Sequence, residues 1–346
     1  MVQNFFMVSI AVFIAVLAAI LSYVLSIAST RWAYRFGAVD EPRENTRKIH
    51  KRTTPLFGGV GIGIGILISV SVLFMNGFLP GLLFRQLFGF AVGIVILILG
   101  GMTDDMKSRP PWLQILFPLT AAIVVFLTGT SIIQVTNPWG VGGLPFPDWL
   151  TAVATILWVL FATYVTKLLD GLDGLVSGMA VIGSGMIGAL TLSTAYFQPG
   201  VAILAAAVGG SFLGFLPRNM HPAKQFLGEA GSTLAGFTLA FLAIVSSAKV
   251  AIALAVLAIP LADAGFVIAG RIRRGVAPWV GDDSHLHFRL LKSGVPHRTA
   301  VYLLWGIAFF AGVIALGLQT RGKIFLVASL ILFTTLSSWR MSARKT

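Results

Sequence analysis

From Phe5 to Ala28 the chain runs for more than twenty residues without a charged side chain. A segment that long and apolar matches the hydrocarbon thickness of a bilayer, about 30 Å. It has neither a positive leading region nor a small-residue cleavage site, so it reads as a first transmembrane helix and not as a signal peptide. Ten more apolar segments follow, near 57–76, 86–102, 112–129, 149–166, 174–195, 200–216, 230–247, 250–270, 299–318 and 324–339. None alternates with the period of two that a sheet requires. The expectation is an all-α polytopic integral membrane protein with about 11 transmembrane helices, a single domain over residues 1–346. Composition agrees, since 57% of residues are hydrophobic and 11% charged. That is less than half the charged share of a soluble domain, about 25%, and it excludes a disordered chain and a water-soluble enzyme. The absence of cysteine excludes disulfides, thiolate metal sites and a cysteine nucleophile.

Charge placement orients the spans. Of the 25 Lys and Arg, 21 lie in the loops after the first, third, fifth, seventh and ninth helices and in the C-terminal tail. The opposite face keeps only Arg85, Lys249, Arg321 and Lys323. Positive charge stays in the cytoplasm during insertion, which places the N-terminus outside and the C-terminus inside. The net charge of +13 is thereby a topology signal and calls for no nucleic acid. Eleven of the twelve acidic residues fall on the same cytoplasmic side, Asp148 being the exception. Carboxylates do little for orientation, so their gathering on one face, among His and Arg, points to a shared site at the inner membrane surface.

Four clusters carry that site, in loops near 30–56, 103–111, 167–173, 217–229 and 271–298. The first loop ends RKIHKRTTPLFGG, where Lys48 and His50 precede a proline and a glycine pair at a helix mouth. Basic side chains beside a helix N-terminus suit phosphate; Gly61, Gly63 and Gly65 beyond it suit helix packing. The second cluster is the adjacent pair Asp104 and Asp105 at a helix end, costly near a membrane unless a cation, a proton or solvent compensates. The third is TKLLDGLDGL, in which Asp170 and Asp173 share a face if helical, and Lys167 lies one turn before Asp170. The fourth is split: Asn219, His221, Lys224, Phe226 and Glu229 precede one span, and Asp263, Arg271, Arg273, Arg274, Asp282, His285 and His287 follow another. His285 and His287, at i and i+2, do not share a helical face. Zinc would want more ligands, so phosphate contact or proton transfer is the better reading for them.

Five ordered blocks, RKIHKRTTPLFGG, Asp104–Asp105, LLDGLDGL, GFLPRNMHPAKQFLGEAGS and DDSHLHFRLL, resemble the polyprenyl-phosphate N-acetylhexosaminyl-1-phosphate transferases (glycosyltransferase 4, MraY-like). The span count and the DxxHLH pattern are similar to the UDP-N-acetylhexosamine branch. The resemblance implies transfer of a HexNAc-1-phosphate, GlcNAc-1-phosphate first in expectation, from a UDP-sugar to undecaprenyl phosphate. UMP would be released at the cytoplasmic face of a bacterial plasma membrane, initiating cell-envelope polysaccharide synthesis. It further implies a magnesium ion and a homodimer. By similarity, Asp104 and Asp105 sit beside the lipid phosphate, one of them deprotonating it, while Asp170 and Asp173 frame the cavity. Asn219 and Phe226 hold the uracil, and Arg271, His285 and His287 contact the diphosphate or the sugar.

The departures from that pattern carry as much information. Tyr164 and Lys167 stand at two positions that are usually Asn, Glu229 stands where an Asp is usual, and Gln114 replaces a common basic residue. The second Asn and the Asp are the positions associated with the metal. Three readings stay open: Glu229 holds magnesium and Lys167 turns aside; the Lys167 ammonium takes the metal's place; or the chain is a non-catalytic relative that binds lipid phosphate or nucleotide sugar. A secondary transporter, the alternative of another class, would place charges at the bilayer midplane in paired repeats, and no such repeat is evident.

Overall fold

A computed structural model of the chain describes residues 2–42, 52–246, 250–277 and 284–343. Twelve α-helices account for most of it: α1 (Val2–Phe36), α2 (Gly58–Met75), α3 (Phe84–Met106), α4 (Pro111–Leu127), α5 (Asp148–Leu169), α6 (Leu175–Leu192), α7 (Pro199–Asn219), α8 (Gly228–Val245), α9 (Val250–Arg273), α10 (Leu286–Lys292), α11 (His297–Gly317) and α12 (Thr320–Ala343). Each of the eleven apolar segments falls on one helix, and the twelfth, α10, is the short one. Ten helices are long and apolar enough to cross a membrane, and Pro111–Leu127 is a shorter apolar helix. Two small antiparallel pairs also form, β1 (Val39–Asp40) with β2 (Thr54–Pro55) and β3 (Gln134–Thr136) with β4 (Gly143–Pro145). The protein is a multi-pass all-α membrane protein with these minor strands in its loops.

Helix α8 is the axis of the bundle, its span being the most enclosed among the described residues. Its sequence is apolar all round, as a helix surrounded by helices must be. In hydrocarbon no hydrophobic drive pulls helices together, so small residues that let backbones approach do much of the work. A methyl group on Gly59 would collide with the backbone of Gly231, and one on Gly101 with that of Ala230. Helices α2 and α3 therefore press directly on the first turn of α8. On its other flank, Thr166 Oγ1 donates to Ser232 O at 2.8 Å, joining α5 to the same turn. Gly61 lies against the backbone of Ser26, and Gly65 against Ser22, both in α1, the packing role expected for that stripe. By contrast α12 turns Leu332, Phe333 and Trp339 outward, a lipid-facing surface.

The close approach makes a sharp prediction. Gly101→Val must push apart a closely packed pair of backbones and is expected to cost about 1–3 kcal/mol, lowering the thermal unfolding midpoint followed by tryptophan fluorescence in detergent. Gly306→Ala, at a helical position with open space around the added methyl, should leave that midpoint unchanged or raise it.

Candidate active site

The ends of four helices converge where α3 stops. Lys107 leaves the helix in an extended conformation, and Pro110–Pro111 starts α4 with a proline in its first turn, where the missing N–H costs nothing. This tight corner fixes the aspartate pair. Asp104 Oδ1 accepts from the Arg109 backbone N–H at 2.7 Å and from Gln114 Nε2 at 3.0 Å. Asp105 Oδ1 accepts from the Glu229 backbone N–H at 2.8 Å, so a carboxylate meets the positive end of α8. The other Asp105 oxygen, Oδ2, is buried without a hydrogen-bond partner. Gly228 makes this contact possible: its φ is +69°, and a side chain there would run into Leu56 O and Asp105 Oδ2, so only glycine fits.

Lys167, from the last turn of α5, reaches into the same place. Its Nζ lies 2.5 Å from Glu229 Oε1 and 2.8 Å from Gln114 Oε1, and 5.6 Å from the centre of the Tyr164 ring. Gln114 Nε2 also donates to Arg109 O at 2.9 Å, so one amide orientation satisfies all of its partners. The chain of contacts runs Asp104–Gln114–Lys167–Glu229–Asp105 and closes the corner between α3, α4, α5 and α8. A narrow cleft adjoins it, lined by Asp104, Gln114 and Glu229 together with Leu97, Phe117 and Pro118.

At the two Asp-Gly steps the backbone leaves the helix, as the glycine after each aspartate permits. Helix α5 ends at Leu169 and α6 begins at Leu175, so Asp170 and Asp173 lie in a turn and do not share a helical face. Asp173 faces away from Lys167, accepting from His221 Nδ1 at 2.8 Å and from the Ala223 backbone N–H at 3.1 Å. Asp170 makes no side-chain hydrogen bond among the described residues. Its protein surroundings strip water from the carboxyl, and the Glu229 and Asp173 carboxylates add to this, pushing it up to about 8. By accessible surface the residue is open to solvent on one side. Water there tempers the shift, and its upward direction into the neutral range is what matters chemically. Lys167, one turn before Asp170, pairs with Glu229.

The structure places several of the expected contact residues partly or wholly inside the fold. Asn219 is 3% exposed: its Oδ1 accepts from Ser177 Oγ at 2.7 Å and Gly174 N at 3.2 Å, and its Nδ2 donates to Gln225 O at 3.2 Å. The expectation that it holds uracil meets an amide already engaged in this conformation. Phe226 is half-buried, with its backbone between Pro55 and Gly58. Arg271 is buried at the end of α9. Asp263 is buried and paired. It takes His285 Nδ1 at 2.8 Å, Leu286 N at 2.7 Å and Arg289 Nη2 at 3.1 Å, docking α10 onto α9.

The His285 and His287 rings stack 5.5 Å apart and 7° from parallel. The i, i+2 argument fails because His285 is the extended residue before the helix. His287 Nε2 is buried without a partner, facing Gly171. Burial first, then the His285 ring, pushes His287 down to about 3, so it stands as a neutral imidazole. Lys48, His50 and Asp282 lie outside the described residues.

Other participants are not visible from sequence alone. Arg289, 7% exposed, is hidden inside an apolar run. Gln225 joins Ser29 of α1 at 3.0 Å and has the look of an ordinary loop residue. His297 stacks on His221 with centroids 4.0 Å apart, its ring nitrogens buried without a hydrogen-bond partner; a histidine at a helix start after proline is the available signal. Asp173, His221 and His297 offer ligand atoms within 4.8 Å of one another, the described group best suited to a transition metal. The magnesium implied by the resemblance finds a poorer match at Glu229, because an ammonium already stands against that carboxylate.

Fold and site together define a polytopic membrane protein that concentrates carboxylates and one lysine at a single end of its bundle. Residues 87–247 match the family model described as glycosyl transferase family 4. A Bacillus subtilis (strain 168) protein named probable undecaprenyl-phosphate N-acetylglucosaminyl 1-phosphate transferase is 30% identical over 317 residues, 88% of this chain and 84% of its own. The decaprenyl-phosphate N-acetylglucosaminephosphotransferase of Mycolicibacterium smegmatis is 28% identical, over 85% of this chain and 79% of its own. The undecaprenyl-phosphate alpha-N-acetylglucosaminyl 1-phosphate transferase of Escherichia coli K12 is 27% identical, over 79% and 74%. The chain belongs to glycosyl transferase family 4.

Docking of α10 should depend on one carboxylate. Asp263→Asn removes the carboxylate charge that meets both His285 and the buried Arg289, and loss of one partner of a buried pair is destabilising. Faster hydrogen exchange over 284–293, with α3 and α8 unchanged, is the expected result.

Proposed function

We propose that this chain is a phosphoglycosyltransferase that moves N-acetylglucosamine 1-phosphate from UDP-GlcNAc to undecaprenyl phosphate and releases UMP. The names of its relatives supply the sugar and the lipid. The observation that carries the reading is the corner formed by Asp104, Asp105, Lys167 and Glu229, all within the family block. The 21-to-4 division of Lys and Arg favours a cytoplasmic location for that corner, in the plasma membrane of a bacterium. Envelope polysaccharide synthesis would begin with the product.

An oxygen of the lipid phosphate attacks the phosphorus that bears the sugar. A new P–O bond forms, the bond from that phosphorus to the bridging oxygen breaks, and UMP departs with the bridging oxygen and its electron pair. Both reactants are anions, so catalysis lies in positioning and charge neutralisation. The Lys167 ammonium has three N–H groups, two of them used within the protein, and the third is directed to a phosphate oxygen. The apolar wall of Leu97, Phe117 and Pro118 beside the carboxylates suits a prenyl phosphate, whose head is charged and whose tail is hydrocarbon. Asp170, solvent-reachable and without a hydrogen-bond partner among the described residues, takes the proton of the lipid phosphate when that group arrives as a monoanion.

UMP release from UDP-GlcNAc and undecaprenyl phosphate by the purified protein in detergent tests the reading. Because Asp170 acts ionised and its pKa is raised toward the neutral range, log kcat/KM should climb with pH through that range and level off above it. Asp170→Asn should lose about 10²-fold or more and flatten that climb; an unchanged profile in the variant would remove Asp170 from the proton step. No UMP from any UDP-sugar would leave the binding-only relative in its place.

A further inference from the structure

We propose that the Lys167 ammonium is the resident cation of this site, standing in place of a divalent metal ion, so that turnover needs no magnesium at the carboxylate corner. The claim about turnover rests on the transferase reading above; the claim about occupancy does not.

Three residues that depart from the pattern of the resemblance meet here. Lys167 replaces a residue with a neutral oxygen donor by a cation. Glu229 replaces a shorter carboxylate, gaining about 1.5 Å of reach, and uses it to meet Lys167 Nζ at 2.5 Å. Gln114 stands where a basic residue is common and turns its amide oxygen to the same ammonium at 2.8 Å. The positive charge stands at the α5 position, and the neutral amide of Gln114 links it to Asp104.

A magnesium ion bound to Glu229 Oε1 fits poorly beside that ammonium. It needs oxygens at about 2.0–2.1 Å in near-octahedral array. With Lys167 Nζ 2.5 Å from the same oxygen, the two cations would be no more than about 4.6 Å apart, where like charges repel strongly. Lys167 cannot serve as a ligand while protonated. Its side chain is also held in place, being 21% exposed against 15% for Glu229, with Tyr164 beside it. One elementary charge then does what two would do elsewhere, and the N-terminus of α8, 2.8 Å from Asp105, adds its partial positive charge.

Two readouts on the full chain in detergent, after chelation and removal of metal, test this. Manganese titration followed by electron paramagnetic resonance requires no turnover. The wild type should leave millimolar Mn²⁺ free at any magnesium-competed site, while Lys167→Asn/Glu229→Asp, restoring the family's usual donors, should gain one Mn²⁺ per chain that Mg²⁺ displaces. UMP release by the wild type should agree within about twofold in EDTA and in Mg²⁺. Lys167→Met should lose about 10²–10³-fold, and Lys167→Arg should recover some of that in EDTA, which a purely structural lysine would not predict. Should Lys167→Met fold poorly, Lys167→Met/Glu229→Gln removes both charges and should show the same loss. One Mg²⁺-displaceable Mn²⁺ per wild-type chain, held equally by Lys167→Met, overturns the proposal, as does wild-type turnover abolished by EDTA and restored by Mg²⁺. Absence of turnover under all conditions overturns the transferase reading alone, and the manganese titration still decides the cation.

Discussion

Glu229 is held twice, and the site is built around that fact. Its backbone N–H is fastened to Asp105 of α3 and its carboxylate to Lys167 of α5. Residue 229 thus ties the first turn of α8 to two other helices by groups pointing in different directions. Neither bond would form without close backbone contact, which the glycines at 59, 101 and 228 allow. The cost of collecting carboxylates at the end of a hydrophobic bundle is high. It is met locally, by an ammonium, a glutamine amide and backbone N–H groups, with solvent reaching Asp170 more freely than the other aspartates of the corner and turn.

Away from this corner, buried polar side chains act as clamps on loops that would otherwise have few constraints. Asn219 links the α6 start to the 219–225 turn, Gln225 and Arg218 reach α1, and Asp263 secures α10. Each is satisfied by hydrogen bonds, which is what makes polar burial tolerable. Their effect is preorganisation. The carboxylates stand on helix ends whose connecting loops are braced, so charge developing during phosphoryl transfer meets dipoles and charges already in position.

The helices are legible in the sequence because hydropathy and length are properties of single segments, and eleven segments map onto eleven helices. The aspartate pair, the Asp-Gly repeat and the unusual residues at 114, 167 and 229 are legible as chemistry. What sequence does not reveal is conformation at helix ends. By spacing alone Asp170 and Asp173 are helical neighbours, yet the glycines after each open the chain into a turn. By the same rule His285 and His287 diverge, yet the extended backbone at His285 brings their rings into a stack. The resemblance assigns Asn219 to the uracil, but its amide is engaged by Gln225 six residues on and by Ser177 and Gly174, 42 and 45 residues away along the chain. Such long-range satisfaction leaves no periodic trace.

The same logic explains why Lys167 and Glu229 have to be interpreted as a pair. Taken singly, a lysine at a metal-associated position looks like a loss of function, and a glutamate for aspartate looks like a conservative change of awkward length. Placed 2.5 Å apart, the awkward length becomes the means by which the carboxylate reaches the ammonium, and the lysine becomes the counter-charge that the corner requires. A metal ion brings more charge, yet it must be recruited from solution and kept in a demanding geometry. A lysine on a helix is present in every copy of the chain, and its orientation is set by residues that already define the fold. Under the proposal above, field strength is traded for permanence. A bundle whose carboxylates are otherwise braced by backbone N–H groups needs less added charge to hold two phosphates together than one that relies on the ion alone.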